Sequence, residues 1–470
     1  MKYKDYTDTF SPTISEATVR ICIVIWIVFD LDVDQIDIES AFLEGQLKPS
    51  EYMYMKAPQG FGLKPTECVM IKKVMYGLKN TGRIYYYTMR DYLCSTKGGF
   101  KVCPTDQCLF SKQGKHNIVM IICWVDDSIC FGHKEDIADV ISFLNERFTV
   151  KSEGGLNDFL GCEILMDKTK SRCWLMQPHL IRSLIDKYGK SQPTNRKPLT
   201  PGTPGLILHK LKANDDHDTM LGTNEQKLLQ SGTGSLIYIL KHSRPELSNS
   251  IRELTKGMQQ GGKKHLQEMY RIMRYIIHTK YQGLMIQPKF TLSPKPTEWI
   301  ITIATDATSG QIELKGQSVL GIEVYLMNTL IIWKSKTSNL VTLSSTEAEV
   351  HAAVEGIKEA LTVKDILEWM GQKVQLPMKL YIDNIPALNI IRNNYTTKRT
   401  KHAAIRQWYA KEQFQLGNIT PVHKKGTELS ADILTKNLNS ADFHNKSNSV
   451  TEVPDEYLNK CKAIIEDIQE

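Results

Sequence analysis

The run Ile118-Val119-Met120-Ile121-Ile122-Cys123-Trp124-Val125-Asp126-Asp127-Ser128-Ile129-Cys130-Phe131-Gly132 sets an apolar, β-rich segment against two adjacent carboxylates and a second, shorter apolar segment. This order predicts a strand, a tight turn and a return strand. Adjacent side chains near a turn diverge, so Asp126 and Asp127 need not share one role. Acids beside a buried strand concentrate negative charge, which a hard divalent cation neutralises through oxygen ligands. Taken alone, the same residues also read as a hairpin with an acidic turn.

The chain has 470 residues, enough for two to four domains. Apolar residues make up 41%, sufficient for ordinary globular cores, and the formal net charge of +7 permits a polyanionic partner without demanding one. The ten cysteines contain no Cys-x-x-Cys spacing, so neither a zinc ribbon nor a disulfide framework is indicated, and their scatter suits a reducing compartment. The apolar run Ile21 to Phe29 is too short for a bilayer span, which takes about 20 residues. With no secretory leader, these features predict an intracellular protein, cytoplasmic or nuclear. No internal repeat is found.

In chain order, Ser15 is placed to cap a helix that carries Val19, Ile23, Trp26 and Ile27 inward, and the acid-rich Asp30 to Asp34 ends it. Ile36 and Ile38 face one side of a following strand and Asp37 the other. Between Met70 and Tyr92, Lys72, Lys73, Lys79, Arg83 and Arg90 are interleaved with Tyr76, Tyr85, Tyr86 and Tyr87. Cations neutralise phosphates and aromatic faces stack on bases; a solvated helix with a tyrosine-rich core face fits as well. Ile137 to Phe148 suits an amphipathic helix. Phe159 to Leu165 suits a strand in which Gly161 allows close backbone approach, and His179 to Tyr188 a helix. Ser191 to Gly222, rich in Pro, Gly, Thr and Lys, reads as a linker or long loop. Leu266, Met269, Tyr270, Met273, Ile276 and Ile277 then form a helical stripe, with Lys264, Arg271 and His278 opposite and Arg274 on the flank.

A second set of acids follows Pro296. Ile301 to Asp306 is a strand ending in an acid, and Val319 to Val324 and Leu330 to Lys334 are further strands. Ser344 and Glu347 have capping-box spacing at the head of a long helix, which leaves Glu349 free to point elsewhere. Leu380 to Asp383 is another strand ending in an acid. Asp432 stands near the start of a last helix, and the basic residues Lys398, Arg399, Lys401, His402 and Arg406 lie between. Acids at the ends of strands and helices suit a mixed α/β domain with a metal site. Residues after Asn439 read as a frayed polar tail with one helix near Glu456 to Ile468.

These motifs together resemble the reverse transcriptase and RNase H portion of a copia-type long-terminal-repeat retrotransposon Pol polyprotein, over nearly all of Tyr6 to Leu438. The carrying segments are Asp8-Thr9-Phe10-Ser11-Pro12, Gln35 to Gly45, Tyr76-Gly77-Leu78-Lys79, Trp124-Val125-Asp126-Asp127, Phe159-Leu160-Gly161, Ser243-Arg244-Pro245-Glu246, Trp333-Lys334-Ser335-Lys336, Leu343 to Glu349, Thr400-Lys401-His402 and Ala431-Asp432-Ile433-Leu434-Thr435-Lys436. Each is weak alone; their common order is the signal.

The resemblance implies an α+β / α/β multidomain chain. A reverse-transcriptase palm with truncated fingers would occupy 1–170 and a thumb/connection region 171–295, with a linker near 191–222. An RNase H-like mixed-sheet domain at 296–440 and a tail at 441–470 would follow. It implies that Asp37, Asp126 and Asp127 hold two Mg²⁺ ions (Mn²⁺ as the substitute) for RNA-directed DNA synthesis. Phe42 would lie under the incoming sugar, Lys79, Asn80 and Arg83 would contact substrate, and Gly161 would lie near the primer end. Asp306, Glu349, Asp383 and Asp432 would be the metal-binding acids of an RNase H that cuts the RNA strand of a hybrid. RNA template, DNA primer, RNA–DNA hybrid and deoxynucleoside triphosphates are the implied partners, with no membrane.

Several positions depart from the family pattern. Asn80 stands where Gln is usual, Trp124 where Tyr is usual, and Thr308 where a further acid often follows. The chain starts just before Asp8, so most of the fingers, with their triphosphate-binding Lys and Arg, are expected to be missing, as in a truncated element copy. A non-catalytic nucleic-acid-binding relic and an RNase H without polymerase activity are the alternative readings.

Overall fold

The computed structural model describes residues 8–47, 52–64, 66–125, 127–188, 198–211, 220–290, 298–308, 316–393 and 404–458. Asp126, the basic residues Lys398, Arg399, Lys401 and His402, and the stretch from 459 on lie outside them. The chain divides into two compact units, Met1–Leu156 and Asn157–Glu470. The division falls before the boundary expected at 170, because the strands from Asp158 to Met166 pair within a sheet of the second unit.

In the first unit, helix α1 (Glu16–Phe29) precedes β1 (Asp32–Ile38) and the hairpin β2 (Met53–Lys56) and β3 (Cys68–Ile71). Helix α2 (Thr81–Leu93) leads to β4 (Lys101–Val102), β5 (Leu109–Gln113), β6 (Ile118–Trp124) and β7 (Asp127–Gly132). Helix α3 (Lys134–Asn145) and β8 (Val150–Gly154) close the unit. Ser15 caps α1 as expected, its Oγ accepting from the Thr18 amide at 3.1 Å. The helix is buried all along Thr18 to Val28 rather than on one stripe. Its head is fixed by buried Asp106, which accepts from the Ser15 amide at 2.9 Å and the Thr18 hydroxyl at 2.6 Å. Asp30, in the left-handed region at φ 48°, ends it. The main sheet runs β4-β5-β6-β7-β1-β8, and the adjoining pairs are all antiparallel.

The second unit opens with β9 (Asp158–Phe159), β10 (Cys162–Met166) and β11 (Cys173–Met176). The single strand expected from Phe159 to Leu165 is therefore a hairpin. Leu160 and Gly161 have φ of 52° and 66°, the positive values a two-residue turn requires. Helices α4 (Pro178–Tyr188), α5 (Thr223–His242), α6 (Ser248–Thr255) and α7 (Lys263–His278) follow and bury Leu184, Leu236, Ile251, Met269 and Ile276 together. The described part of the expected linker is packed: Leu208 is buried and its amide donates to Glu253 at 2.7 Å. Nor is the outer face of α7 a free basic stripe, because Arg271 is half-buried and donates to Thr200 at 3.2 Å.

Strand β12 (Gly283–Ile286) pairs with β11 and leads to β13 (Ile301–Thr308), β14 (Gln317–Leu326), β15 (Thr329–Val341), α8 (Ser345–Trp369), β16 (Met378–Ile382), α9 (Ile385–Arg392), α10 (Ala404–Gln415) and β17 (Ile419–His423). These strands form a mixed sheet ordered β15-β14-β13-β16-β17; β13, β16 and β17 run parallel and the remaining pairs are antiparallel. The expected final helix at Asp432 is a short 3₁₀ turn, Ser430–Leu434. The residues beyond it are no frayed tail up to 458: α11 (Ser440–Ser447) buries Phe443, and β18 (Thr451–Glu452) adds to β12.

One glycine decides how the 3₁₀ turn seats. Gly321 lies opposite Asp306 in the β13–β14 pair, and a Cβ there would stand 2.8 Å from both the Ala431 carbonyl oxygen and Thr435 Cγ2. Gly321→Ala is therefore expected to destabilise the second unit by about 1–3 kcal/mol. Denaturant unfolding followed by a probe in that unit measures the loss.

Candidate metal centres

In the second unit the sheet assembles acids distant in sequence. Asp306 lies on β13, Asp383 follows β16, and these strands are parallel neighbours. Glu349 reaches them from the first turns of α8. Ser344 Oγ takes the Glu347 amide at 3.1 Å, and Glu347 takes the Leu343 amide at 2.8 Å, so the capping role falls on Glu347 as its spacing predicts. Helix α8 lies tight on the sheet because Gly356 leaves only 2.8 Å between a notional Cβ and the methyls of Ile303 and Thr305.

Asp306, Glu349 and Asp383 each offer an oxygen within 4.8 Å of the others. Asp306 is 2% exposed and Glu349 4%. Glu349 accepts from the Ala307 amide at 3.1 Å through Oε1, while Oε2 is buried with no hydrogen-bond partner among the described residues. Burial, reinforced by the charges of Asp306 and Asp383, pushes the Glu349 carboxyl up to about 9. Burial also raises Asp306, to about 6, against the opposing pull of Lys436. Hard oxygen donors, crowded and with one oxygen unsatisfied, fit Mg²⁺ or Mn²⁺.

Asp432 does not join this group of three. It accepts from Lys436 Nζ at 2.6 Å and lies 3.5 Å from Lys446 Nζ, and the Lys436 ammonium stands 3.7 Å from Asp306. The Thr435 hydroxyl donates to Asp306. Nearby, buried Glu323 accepts from the hydroxyls of Tyr325, at 3.0 Å, and Ser430, and burial lifts its carboxyl to about 7. This ties the Asp432 turn to β14. Sequence reasoning missed Lys436, Thr435 and Glu323. Only Lys436 carried a local signal, four residues after Asp432.

In the first unit, Asp37 and Asp127 are direct cross-strand partners of β1 and β7. Directly opposed residues share a face, with Cβ atoms about 4.5–5.5 Å apart, so the pairing brings these two acids together. Val125, beside them, is held at φ 59°, costly for a β-branched residue. Two facing hard carboxylates fit a divalent cation on the same grounds.

Phe42, half-buried, stands edge-on to Tyr76 and Tyr85 at 5.6 and 6.1 Å. Asn80 is buried at the head of α2 and Lys79 is exposed. Arg83 pairs with Asp8 at 3.5 Å and lies over the Tyr87 ring at 5.0 Å. Of the tyrosines, Tyr85 and Tyr86 are core, whereas Tyr87 lines a cleft of about 450 Å³ with Arg83, Arg90 and Arg147. Gly161 falls in the second unit, where the Tyr238 hydroxyl donates to the neighbouring Leu160 carbonyl at 2.8 Å. A further donor group, His116, His133 and Glu135, is exposed. Its contacts are accounted for by a His116–Glu135 pair at 2.9 Å and by His133 capping α3.

Residues 1–201 match the family described as reverse transcriptase (RNA-dependent DNA polymerase). The N-terminal part of the chain carries a reverse transcriptase domain of the copia-type retrotransposon Pol kind, and nearly the whole chain is similar to such polyproteins. It is 30% identical over 455 residues to the retrovirus-related Pol polyprotein from transposon RE1 of Arabidopsis thaliana, covering 96% of this chain and 30% of that one. It is 27% identical over 438 residues to the Pol polyprotein from transposon TNT 1-94 of Nicotiana tabacum, covering 92% and 32%. The chain thus spans less than a third of the length of these two relatives. A foamy viral protease-reverse transcriptase in complex with RNA/DNA hybrid, 13% identical with a TM-score of 0.46, covers 84% of this chain and 44% of that one. No helix of the described residues is long and apolar enough to cross a membrane.

The raised carboxyls fix the sign of a pH effect. Between the ordinary glutamic acid range, about 4.3, and the value of about 9 for Glu349, the native state holds a proton that the unfolded chain has lost. Stability should therefore fall as pH rises through that window, with Asp306 contributing over its lower part. Calorimetry in EDTA should show the loss, Mg²⁺ should reduce it by favouring the ionised carboxylates, and Glu349→Gln should flatten it.

Proposed function

We propose that the chain performs RNA-directed DNA synthesis with Asp37, Asp126 and Asp127, and cuts the RNA strand of RNA–DNA hybrids with Asp306, Glu349, Asp383 and Asp432. The convergence of Asp306, Glu349 and Asp383 on one point, with Glu349 Oε2 unsatisfied, carries the reading of the second unit. The pairing of Asp37 with Asp127 in a domain of this kind supports the reading of the first. On this reading the six-stranded sheet is the palm, the helices α4–α7 with β9–β12 are the thumb and connection, and the mixed sheet with α8 is an RNase H-like domain.

Bound divalent ions supply Lewis acidity that favours an ionised attacking oxygen and offsets charge on the leaving group. The protein's own residues do the positioning. Asp37 and Asp127, fixed by strand register, hold their carboxylates on one sheet face. Phe42, braced by Tyr76 and Tyr85, presents a rigid ring that would clash with a ribose 2′-hydroxyl. Glu349, steadied by the Ala307 amide, keeps one oxygen directed at the shared point. Template, primer and deoxynucleoside triphosphates are the partners of the first centre and RNA–DNA hybrid of the second.

Primer extension on RNA and cleavage of a labelled hybrid, both with Mg²⁺, test the two activities separately. Asp126→Asn is expected to lower extension at least about 100-fold and spare cleavage, and Asp383→Asn to do the reverse. Equal activity of each variant and the unaltered chain in its own assay overturns the assignment.

A further inference from the structure

Asp432 sits between two lysines with different commitments. Lys446 is buried, and its ammonium donates to the carbonyls of Gly426 at 2.8 Å, Thr427 at 3.2 Å and Leu429 at 2.6 Å. Those bonds use the donors an ammonium has, so Lys446 is bound into the loop that precedes Asp432. Lys436 instead spends its charge on carboxylates. It lies 2.6 Å from Asp432 Oδ1 and 3.7 Å from Asp306 Oδ2, and its side chain is 46% exposed. Burial works against the Lys436 charge, but Asp306 and Asp432 outweigh it and raise its pKa. The ammonium is therefore in the acid cluster while the side chain as a whole is only about half covered, which leaves the ammonium a path to solvent.

We propose that Lys436 is a displaceable counter-cation: its ammonium bridges Asp306 and Asp432 in the metal-free protein and withdraws to solvent when a divalent ion takes that place. The inference rests on reading the acid cluster as a metal centre. Its physical basis is exclusion. Mg²⁺ binds carboxylate oxygens at about 2.0–2.1 Å, so an ion shared by Asp306 and Asp432 needs the space Lys436 Nζ fills. Charge balance favours the exchange in both directions. Without metal, the ammonium offsets two neighbouring carboxylates in a low-dielectric pocket; with metal, a double charge at shorter range makes it redundant and repels it. Thr435, donating to Asp306 from the adjacent position, is a positioning residue that keeps this carboxylate aimed while the cation changes. Lys436 thereby sets the threshold at which an ion takes the place between Asp306 and Asp432.

Mn²⁺ titration of the full chain supplies the test. Lys436→Met is expected to lower the metal-free thermal midpoint, because the carboxylates lose their counter-charge. Saturating Mn²⁺ should erase that deficit, and calorimetry should show Mn²⁺ bound at least tenfold more tightly than in the unaltered chain. A deficit of equal size with and without Mn²⁺, or unchanged affinity, makes Lys436 a structural ion pair and overturns the proposal. In the unaltered chain, where no variant has to fold, amine-reactive footprinting read by mass spectrometry should show Lys436 labelling rise several-fold on adding Mn²⁺ while Lys446 stays constant. Labelling of Lys436 that is unchanged or reduced overturns it equally. Asp306→Asn separates the metal centre from the lysine's role, because Asp306 belongs both to the cluster with Glu349 and Asp383 and to the pair that Lys436 bridges. If it keeps every Mn²⁺ site of the unaltered chain, the cluster is not a metal centre and both fall. If it loses binding while Lys436→Met matches the unaltered chain, the metal centre stands and the displaceable lysine does not.

Discussion

Like charges confined in a dry place set the terms for the second unit of this chain. Asp306 and Glu349 are almost wholly buried, and Asp383 brings a third carboxylate within 4.8 Å. Ionised carboxylates at that spacing repel strongly, and the burial of two of them weakens screening by solvent. The fold eases the crowding with a retained proton and nearby positive charge. Glu349 keeps a proton far above the ordinary carboxylate range, and two lysines border Asp432. A divalent ion would relieve the same crowding more completely, so the strain that makes the cluster unfavourable alone suits it to a hard cation.

Much of the surrounding structure serves that confinement. Parallel pairing of β13 with β16 sets Asp306 and Asp383 side by side, and the small face of α8 at Gly356 lets Glu349 approach from above. The open space over Gly321 admits the turn that carries Asp432, Thr435 and Lys436. Buried Glu323 anchors that turn through Ser430. In the first unit the corresponding device is simpler, because strand register alone opposes Asp37 to Asp127.

Local sequence patterns foretold the elements well where one physical signal dominated. Ser15 and Ser344 cap helices because a hydroxyl before an apolar run satisfies an open amide. The acidic hairpin at 118–132 formed because apolar β-branched runs on both sides of a short polar turn have few alternatives. The reading failed where tertiary contacts overrode composition. Residues 198–211 look like a linker, yet Leu208 is drawn into the helical core, and Arg271 is held by Thr200 instead of facing solvent. Leu160 and Gly161 look like part of a strand, but positive φ at both turns the chain back.

The sequence by itself determined which residues carry negative charge at the ends of apolar segments, because charge and periodicity are local properties of the chain. Family order then assigned those acids to two sets. Only the tertiary structure decided how the second set is shared out, with Asp306, Glu349 and Asp383 converging and Asp432 paired with Lys436 and Lys446. That division depends on strand order, on the depth of burial and on which ammonium has carbonyls to hold it. All three are distances through space between residues far apart along the chain, so no window of sequence records them.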